Sequence, residues 1–519
     1  MKPLAPLLLA LLITAPAQAE LGKGRRLLIQ HGLQVQGLIN KDDAFDLKTY
    51  KRANYSSLLW MWAISPEGMG RPPGELWSRW VGEPSQMPLK PEERPYAKRL
   101  LALQLGDEQD LNDPAVRERI VNWLTDARRK FPDTIIYVNN FGGQVRDAEL
   151  SDMIQRGKPD MLAFDTYPWR SQYDQRNVPL PAHGSPTHWY AELRRYRDHA
   201  RAAGVPFAIY RQTFAAVQDY DSTVYRHPSP SEMNLNTYAA LAFGATWLID
   251  FTYNTSASSL FDRNAQGQWA GDRHPNARYH HLSEINRAAR YLGQALVRLK
   301  AIPELRRRQG AEPSSPAISD HPQFPSGYTS SVLFLRGRTG PGKSDVTPLP
   351  INFHPDPDAP ETYSWWEFGK NDPYLNGWGR KNVGKVNHGR VGDVILSWLD
   401  PLASIDTTGS ESAGAGAGDQ VYLMVVNGLT APTGTAADAA QEITLDFART
   451  GADGTSFPGV LRLDAKTGKV GALKLAEPGP RKLRLTLRLD GGEGALLKFG
   501  SDPKSFIHLR PLARDAGND

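Results

Sequence analysis

The sequence predicts an α/β fold in which a (β/α)8 TIM-like barrel is followed by a C-terminal antiparallel β-sandwich. Up to about residue 305, short β-rich segments alternate with longer amphipathic ones, which is the pattern of βα units around a parallel sheet. Beyond that point helical periodicity disappears, and short alternating strands are separated by Gly, Pro, Ser and Asp, as in antiparallel sandwiches. We therefore expect the barrel over residues 20–305 and a β-sandwich domain with long loops over residues 306–519.

The periodicity places seven barrel strands and several helices. The strands are expected at Leu33–Ile39, Ser57–Ala63, Arg99–Leu105, Thr134–Asn139, Met161–Asp165, Pro206–Arg211 and Ala245–Phe251. The helices are expected at Pro114–Lys130, Thr187–Ala203 and Pro230–Phe243, with a last one from about His281 to Leu299. The helix at Pro230 has a clear start, because Ser229 and Glu232 match an S-x-x-E capping box with proline in the first turn.

The eighth strand of a complete barrel is less evident. The segment Ser65–Pro95 is rich in Gly, Pro and Trp, so it either contains this strand or forms a long active-site loop. An open doubly wound sheet is the alternative architecture, although no G-x-G-x-x-G turn follows the first strand. Trp60 and Trp62 alternate along one strand, and we expect them to pack in the core.

The C-terminal region contains further short strands. They are expected at Ser331–Leu335, Val421–Val426, Glu442–Phe447, Leu461–Leu463, Leu483–Leu489 and Gly494–Phe499. Two stretches of small residues, 409–418 and 431–440, are interpreted as loops. A long polar insertion holds Tyr374, Asn376 and Trp378 after the pair Trp365-Trp366. These side chains either complete a site above the barrel mouth or, as we expect, pack against the barrel.

The first residues have the pattern of a signal peptide. Lys2 precedes an apolar run from Leu4 to Ile13, and Ala17-Gln18-Ala19 is a cleavage site of the A-x-A type. The run is too short to span a bilayer, and no later stretch is apolar enough to do so. We expect residues 1–19 to be removed on export to the periplasm or the exterior, the alternative being a buried N-terminal helix.

Composition and motifs exclude several classes of function. The chain has no cysteine, which excludes disulfides, thiolate catalysis and Cys-ligated zinc. Its net charge of +5 comes without a run of Lys or Arg, so no nucleic-acid partner is expected. Residues 337–344 match a phosphate-binding loop, but Pro348 and Pro350 rule out the helix that such a loop needs, so nucleotide binding is not expected. The pair His280-His281 lacks a third ligand and does not form a metal site. No cofactor or metal ion is therefore expected.

Carboxylates, amides and aromatic side chains gather at the predicted C-terminal ends of the barrel strands, where barrel enzymes have their active sites. Cleavage of a glycosidic bond needs a carboxylic acid that protonates the leaving oxygen and a second carboxylate as nucleophile or base. Glu108 is the expected acid, because the charge of Asp107 beside it would raise its pKa. Asp165 is the expected second carboxylate. The expected sugar-binding side chains are Asn139, Asn140, Tyr167, Trp169, Tyr210, Gln212, Asp250 and Tyr253.

Several of these residues also have a purely structural interpretation. Glu108 could be a solvated loop acid, and Asp165 could form an Asx turn. Gln212 could be a structural amide at the barrel mouth, and Asp250 could point into the barrel wall. The aromatic side chains that end the fifth predicted strand could pack between loops instead of binding a sugar ring.

From Gln30 to about Leu299 the chain resembles the retaining (β/α)8 glycoside hydrolases, the superfamily of β-galactosidases, cellulases and mannanases. More closely, it is similar to a group of uncharacterised bacterial barrel hydrolases with a Gly-Asp-Glu-Pro turn, an Asp-x-Tyr-Pro strand end and a Phe-Thr-Tyr strand end. The corresponding segments here are Gly106-Asp107-Glu108-Gln109, Asp165-Thr166-Tyr167-Pro168 and Phe251-Thr252-Tyr253.

The resemblance implies roles for three positions. The acid/base Glu of the superfamily ends the fourth strand, which fits Glu108 if the hidden strand precedes it, and an aromatic pair ends the sixth, which fits Tyr167. The nucleophile Glu ends the seventh strand, where this chain has Gln212, and an amide cannot form a glycosyl ester. Gln109 also replaces the proline of the first turn. Either Asp165 supplies the second carboxylate, as in an inverting enzyme, or the barrel binds sugar without cleaving it.

We therefore predict a glycoside hydrolase acting on a poly- or oligosaccharide. One alternative is a non-catalytic polysaccharide-binding protein for export or assembly of a cell-surface polymer, and another is a different enzyme class on the same barrel, such as a lyase. A separation of about 5 Å between the carboxyl groups of Glu108 and Asp165 would indicate a retaining enzyme, and roughly 6.5–9.5 Å an inverting one.

Overall fold

A computed structural model describes most of the barrel region and the main strands that follow it. The described residues are 21–41, 45–61, 74–169, 186–217, 224–301, 332–335, 375–386, 389, 391–392, 394–402, 421–449, 459–479 and 482–507. The predicted signal peptide at 1–19, the loop at 409–418 and the phosphate-loop match at 337–344 lie outside these residues. So do Trp62, Trp365, Trp366 and Tyr374.

The N-terminal part of the chain forms a closed parallel barrel. Its strands are β1 (Gln34–Ile39), β2 (Leu58–Trp60), β3 (Trp77–Val81), β4 (Leu100–Asp107), β5 (Ile135–Phe141), β6 (Leu162–Asp165) and β7 (Phe207–Gln212), then a hairpin of β8 (Ala216–Val217) and β9 (Val224–Tyr225), and finally β10 (Trp247–Phe251). The barrel closes in the order β1-β10-β7-β6-β5-β4-β3-β2. The predicted barrel is confirmed, and the open-sheet alternative is wrong. The missing strand is β3, inside Ser65–Pro95.

Helices surround the barrel and also cover its end. The described helices are α1 (Lys23–His31), α2 (Leu47–Arg52), α3 (Pro114–Lys130), α4 (Asp147–Gly157), α5 (Pro186–Ala203), α6 (Pro230–Phe243) and α7 (Ala277–Leu296), with a 3-10 helix at Pro91–Arg99. Both halves of the predicted capping box form, since Ser229 Oγ accepts from Glu232 N and Glu232 Oε2 accepts from Ser229 N. Helix α7 begins before the predicted His281, because Asn276 caps it at Ala277. None of these helices is long and apolar enough to cross a bilayer.

The barrel interior below the mouth is filled by a hydrogen-bonded polar layer. The amide of Gln36 donates to Ser57 Oγ (2.8 Å) and Ser78 Oγ (2.9 Å) and accepts from Trp247 Nε1 (3.0 Å). All four side chains are buried. Because these polar groups are satisfied, the layer adds no strong desolvation penalty and closes the interior from below. Trp60 is also buried, as expected for a core residue.

Two antiparallel sheets follow the barrel. Their strands are β11 (Leu299–Ala301), β12 (Val332–Leu335), β13 (Leu375–Asn382), β14 (Val394–Pro401), β15 (Tyr422–Asn427), β16 (Gln441–Ala448), β17 (Val460–Leu463), β18 (Val470–Ala472), β19 (Ala476–Gly479), β20 (Lys482–Leu489) and β21 (Gly494–Phe499). The inner sheet has the order β11-β14-β15-β21-β17-β18, with β12 also on β14, and the outer sheet has the order β13-β16-β20-β19. The predicted sandwich is confirmed. Strand β11 lies within 20–305, so its pairing with β14 brings the end of the barrel segment into the sandwich.

The inner sheet is buried on both faces. In β15, Leu423 and Val425 join the core between the two sheets, whereas Tyr422, Met424 and Val426 join the core shared with the barrel. Helix α6 lies at this junction, and its Asn234 donates to Gly491 O (2.9 Å). The shared core fixes the sandwich against the barrel. Asn376 and Trp378, which were expected to pack against the barrel, lie in β13, which pairs with β16 in the outer sheet.

Candidate active site

Three carboxyl side chains meet at the C-terminal end of the barrel. Asp107 ends β4, the fourth barrel strand, and Glu108 follows it directly. Asp165 ends β6, two strands away in the barrel. The Glu108 and Asp165 side chains are hydrogen-bonded to each other. The structure therefore brings together the two predicted catalytic carboxyls, and it places Glu108 after the fourth strand as the resemblance implied.

The turn that carries Glu108 has an unusual backbone held by its neighbours. Gly106 and Glu108 both have positive φ angles, 72° and 49°. Such a conformation is uncommon for a residue with a side chain and is often found at functional sites. Glu108 N donates to Asn139 O (2.9 Å), and Gln144 Nε2 donates to Glu108 O (2.6 Å). Contacts from β5 and the loop after it thus hold the backbone of Glu108 in place.

Asn139 connects the three carboxyls. Its Nδ2 donates to Asp165 Oδ1 (2.7 Å) and to Asp107 Oδ1 (2.9 Å). Asp107 Oδ1 also accepts from Gln104 Nε2 (3.0 Å). The Asn139 residue is only 3% exposed, and its Oδ1 has no partner among the described residues. Buried acceptors without a donor are rare in proteins, and an ordered water is a usual partner for them.

The electrostatics of the cluster favour protonated carboxyls. Burial raises the pKa of Asp165 well above its ordinary value, and the charges of Glu108 and Asp107 raise it further. Loss of hydration followed by the charge of Asp107 raises the pKa of Glu108, as the sequence predicted, and burial raises the pKa of Asp107. Since Glu108 and Asp165 are hydrogen-bonded, they titrate as a pair, and the pair keeps a proton to a higher pH than an isolated carboxyl.

The two partners differ in their access to solvent. Asp165 is 5% exposed, whereas Glu108 is an exposed residue. A proton shared between them therefore has one outlet, the Glu108 side chain at the barrel mouth. Among the described residues, no group of three His, Cys, Asp or Glu side chains is arranged to hold a metal ion.

Aromatic side chains line the mouth near the carboxyls. Tyr167 is half-buried and stacks on Phe251 with 5.7 Å between the ring centroids. The charge of Asp165 contributes to the raised pKa of Tyr167, after burial, which places this phenol close to the carboxyl pair. The Tyr210 hydroxyl donates to Gln104 Oε1 below the cluster. Tyr167 and Tyr210 are thus at the predicted site.

Two aromatic residues flank β4 and were missed by the sequence analysis. Half-buried Trp80 of β3 donates through Nε1 to Gly106 O (3.2 Å). Phe141, at the end of β5, is 40% exposed, one of few large apolar side chains with such exposure in the described part of the chain. Trp80 was missed because strand β3 was not predicted. Phe141 was missed because only the polar residues at the end of its strand, Asn139 and Asn140, were considered as ligands for a sugar. Gln104 was also missed, although a lone amide within an apolar strand is a usable signal.

Two predicted sugar-binding residues are engaged with each other inside the structure. Trp169 is completely buried, and its Nε1 donates to Asn236 Oδ1 (2.9 Å). Gln212 accepts from Trp169 N (2.9 Å) and donates to the carbonyl oxygens of Trp169 (3.1 Å) and Arg226 (3.0 Å). The expectation that Trp169 and Gln212 bind sugar is corrected, because neither presents a free polar atom or ring face. Gln212 ties together the loops after β6 and β7.

Asp250 and Tyr253 are also placed in the fold and away from the mouth. Asp250 accepts from Arg211 Nε (2.7 Å) and from the Tyr55 hydroxyl (2.8 Å) and is completely buried in the barrel wall. Tyr253 is completely buried in an aromatic cluster, with its ring centroid 4.9 Å from that of Tyr50. Both sugar-binding expectations are corrected for the same reason: the side chains have no access to a ligand.

Asn140 has a supporting role. Its Nδ2 donates to Gln109 O (3.0 Å) and to Gln144 Oε1 (3.1 Å), so both of its N–H groups are used within the protein. Gln144 in turn holds the carbonyl of Glu108. Because strand residues alternate in direction, Asn139 faces the carboxyls while Asn140 faces the loops behind them. Asn140 thus positions the Glu108 turn instead of lining the mouth.

The chain has only distant likenesses among known proteins. No family model matches the chain, and no curated protein matches it. Among solved structures, it is similar to a β-galactosidase from Bacillus circulans sp. alkalophilus, with a TM-score of 0.41, 10% identity and coverage of 91% of this chain and 99% of that one. The barrel fold implied by the resemblance is confirmed.

Two further solved structures share less of the chain. An exo-β-1,4-mannosidase from Opitutaceae bacterium strain TAV5 gives a TM-score of 0.32 at 15% identity, with coverage of 51% of this chain and 60% of that one. A Clostridium thermocellum endo-1,4-β-D-xylanase gives 0.31 at 12% identity, with coverage of 53% and 68%. Likenesses of this size carry no argument about fold or function, and the barrel rests on the strand pairing described above.

Proposed function

We propose that this protein is a glycoside hydrolase in which Glu108 protonates the leaving oxygen of a poly- or oligosaccharide. The observation that carries the proposal is the hydrogen-bonded pair of Glu108 and Asp165 at the open end of a closed barrel. A general acid must be protonated near the working pH and within reach of the substrate. The pair meets the first condition through its raised pKa values, and exposed Glu108 meets the second.

Asp165 acts through Glu108 in this proposal. Two carboxyls that flank a glycosidic bond are separated by about 5 Å in retaining enzymes and by roughly 6.5–9.5 Å in inverting ones. Direct hydrogen bonding brings Glu108 and Asp165 closer than either distance. We therefore assign Asp165 the role of a positioning residue that shares the proton of Glu108. After Glu108 has given up a proton, its carboxylate can accept one from an attacking water.

The mouth also supports a carbohydrate as the ligand. Sugar rings present C–H faces that pack on aromatic rings, while their hydroxyls need amide and carboxyl partners. Tyr167 and Phe251 lie on one side of the carboxyls, and Trp80 and Phe141 lie beside β4. Exposed Glu108 and half-buried Asp107 offer carboxyl partners for the hydroxyls.

Activity of the mature protein against a panel of polysaccharides and aryl glycosides tests the proposal, with new reducing ends as the readout. Wild type should release reducing ends from a polysaccharide, and Glu108→Gln should release them far more slowly. The matched control is Glu118→Gln, an exposed acid on helix α3 paired with Arg156. Saccharide binding without turnover, by both wild type and Glu108→Gln, would favour the polysaccharide-binding alternative. That alternative is also supported by Gln212, which stands at the expected nucleophile position and is hydrogen-bonded within the protein. An unsaturated product absorbing in the ultraviolet would indicate a lyase.

We also propose that the protein is exported, on the basis of the signal-peptide pattern at 1–19. The expected mature chain starts near Glu20. Expression of the full chain in a Gram-negative host, followed by fractionation and N-terminal sequencing, tests this. A chain retained in the cytoplasm with its leader intact would contradict it.

A further inference from the structure

Phe141 places an aromatic ring at the barrel mouth beside the carboxyl pair. It is the last residue of β5 and the register partner of Asp165, the last residue of β6. Register partners in parallel strands point to the same face, as do residues i and i+2 of one strand. Asn139, two residues before Phe141, donates to Asp165 Oδ1 (2.7 Å), so this face of β5 lines the mouth. The Phe141 side chain therefore points into the mouth, about 6–7 Å further along the strand towards solvent than Asn139.

The ring is open to solvent, yet its backbone is held in place. Phe141 is 40% exposed, whereas Asp165 beside it is 5% exposed. Phe141 N donates to Gln144 Oε1 (3.2 Å), and Phe141 O accepts from Gln144 N (3.1 Å). The next residue, Gly142, donates through its N–H to Asp165 O (2.8 Å). An accessible aromatic ring on a fixed turn is preorganised for a ligand that packs on its face.

The side-chain amide of Gln144 joins this ring to the acid. Its Oε1 accepts from Phe141 N (3.2 Å), while its Nε2 donates to Glu108 O (2.6 Å). One amide thus contacts the backbone of both residues and keeps Phe141 next to the turn that carries Glu108. A sugar residue packed on the ring is then held close to the carboxyl that must reach the glycosidic oxygen.

We infer that Phe141 is the platform for the sugar residue that leaves, and that it makes the enzyme specific for leaving groups that are sugars. The inference rests on the proposed function and adds a specificity-determining residue to it. Glu108 protonates the oxygen between two sugar residues, one of which departs into solvent. Phe141 is exposed, whereas Tyr167 and Phe251 at the same mouth are half-buried, so the platform that faces solvent is Phe141. The C–H face of the departing sugar packs on its ring.

The test compares two substrates that differ chiefly in the leaving group. One is the hexaose of the polysaccharide that wild type cleaves best, and the other is the matching trisaccharide fluoride, whose leaving group is not a sugar. Phe141→Ala should lower kcat/KM for the hexaose by about 10–100-fold and change that for the fluoride by no more than about 2-fold. Phe141→Leu keeps an apolar side chain without a flat ring and should behave like Phe141→Ala. Phe141→Trp should keep most of the wild-type rate on the hexaose.

The matched control is Val383→Ala, which removes a similarly exposed apolar side chain (38%) after β13 in the sandwich and should leave both rates unchanged. Rates are measured per folded molecule. Equal losses on the two substrates, an unchanged rate of Phe141→Ala on the hexaose, or wild-type activity of Phe141→Leu would each overturn the inference but leave a glycoside hydrolase. If wild type cleaves no polysaccharide and no glycoside, the proposed function itself fails.

Discussion

Two buried aspartates on barrel strands, Asp165 and Asp250, have opposite surroundings. Asp250 receives two N–H groups of Arg211, at 2.7 and 2.9 Å, and the Tyr55 hydroxyl. Asp165 faces the carboxyls of Glu108 and Asp107 and receives one amide N–H from Asn139. Both are strongly buried, with 5% and 0% exposure. Burial alone therefore does not distinguish the two carboxyls. They differ in that Asp250 contacts a cation, whereas Asp165 contacts none among the residues that the structure describes.

The largest effect should come from the exposed partner of Asp165. In Glu108→Gln the site keeps its shape but has no proton to deliver, so hydrolysis of a substrate with a poor leaving group should fall by about 10²–10⁴-fold. An aryl glycoside with a 2,4-dinitrophenyl leaving group needs little protonation and should lose much less. The difference between the two substrates is measured as kcat/KM. Equal losses on both would show that Glu108 is not the acid.

The wall aspartate should respond in stability instead of activity. Asp250→Asn removes the charge that compensates buried Arg211, and breaking such a pair costs about 3–5 kcal/mol. The free energy of unfolding is measured by urea titration, and kcat per folded molecule should stay near wild type. Asp126→Asn, which breaks two exposed ion pairs on helix α3, with Arg129 and Lys130, is the control and should have a far smaller effect on stability. A similar small loss for Asp250→Asn would remove the contrast between the two aspartates.

The mouth aspartate should respond in activity and in pH dependence. Asp165→Asn keeps the volume but ends proton sharing, so we expect kcat/KM to fall by about 10–100-fold through misplacement of Glu108. The wild-type pair keeps its proton to high pH, whereas the variant has only the Glu108 carboxyl. Its basic limb of the pH–rate profile should therefore move to lower pH. An unchanged basic limb would mean that Asp165 does not share the proton of Glu108.

The sequence predicted the architecture well because its signals are periodic. The alternation of β-rich and amphipathic helical segments located seven barrel strands. The capping box of helix α6 could be read directly from the residue types at Ser229 and Glu232. Strand β3 was hidden because Trp77–Val81 lies among Gly and Pro residues in a segment with no clear period. Glu108 and Asp165 were identifiable because in a parallel barrel the strand ends converge at one rim.

The roles of the other polar strand-end residues could not be predicted, because they depend on side-chain partners from distant segments. For example, Arg211 forms an ion pair with Asp250, which lies 39 residues further along the chain. Trp169 and Gln212 satisfy each other across 43 residues. The direct contact between Glu108 and Asp165 depends on the turn at Gly106, which has a left-handed backbone conformation. Hydrophobic periodicity does not predict such a conformation.

Gln212, like Asp250, is a buried polar side chain whose polar atoms are hydrogen-bonded within the protein. Gln212→Glu restores the residue type expected from the resemblance, but a carboxylate cannot donate to the carbonyl oxygens of Trp169 and Arg226. Buried carbonyls left without donors cost about 1–3 kcal/mol, so the variant should be less stable and no more active. Thermal unfolding and kcat/KM measure the two effects. A gain in hydrolysis would show that the seventh strand end reaches the substrate after all.

The smallest effect is in the pH dependence of stability, where burial raises the pKa of both aspartates and the charge of Arg211 opposes the rise at Asp250. The pKa of Asp165 is raised in the folded protein, so the folded state binds more protons than the unfolded state between the unfolded and folded pKa values. The free energy of unfolding must then fall as pH rises through this window, with a slope that corresponds to the binding of at most one proton. Asp165→Asn should remove that contribution. Urea titrations of wild type and variant at intervals from pH 4 upward measure the difference. If the two curves stay parallel, Asp165 is ionised in the folded protein throughout this pH range.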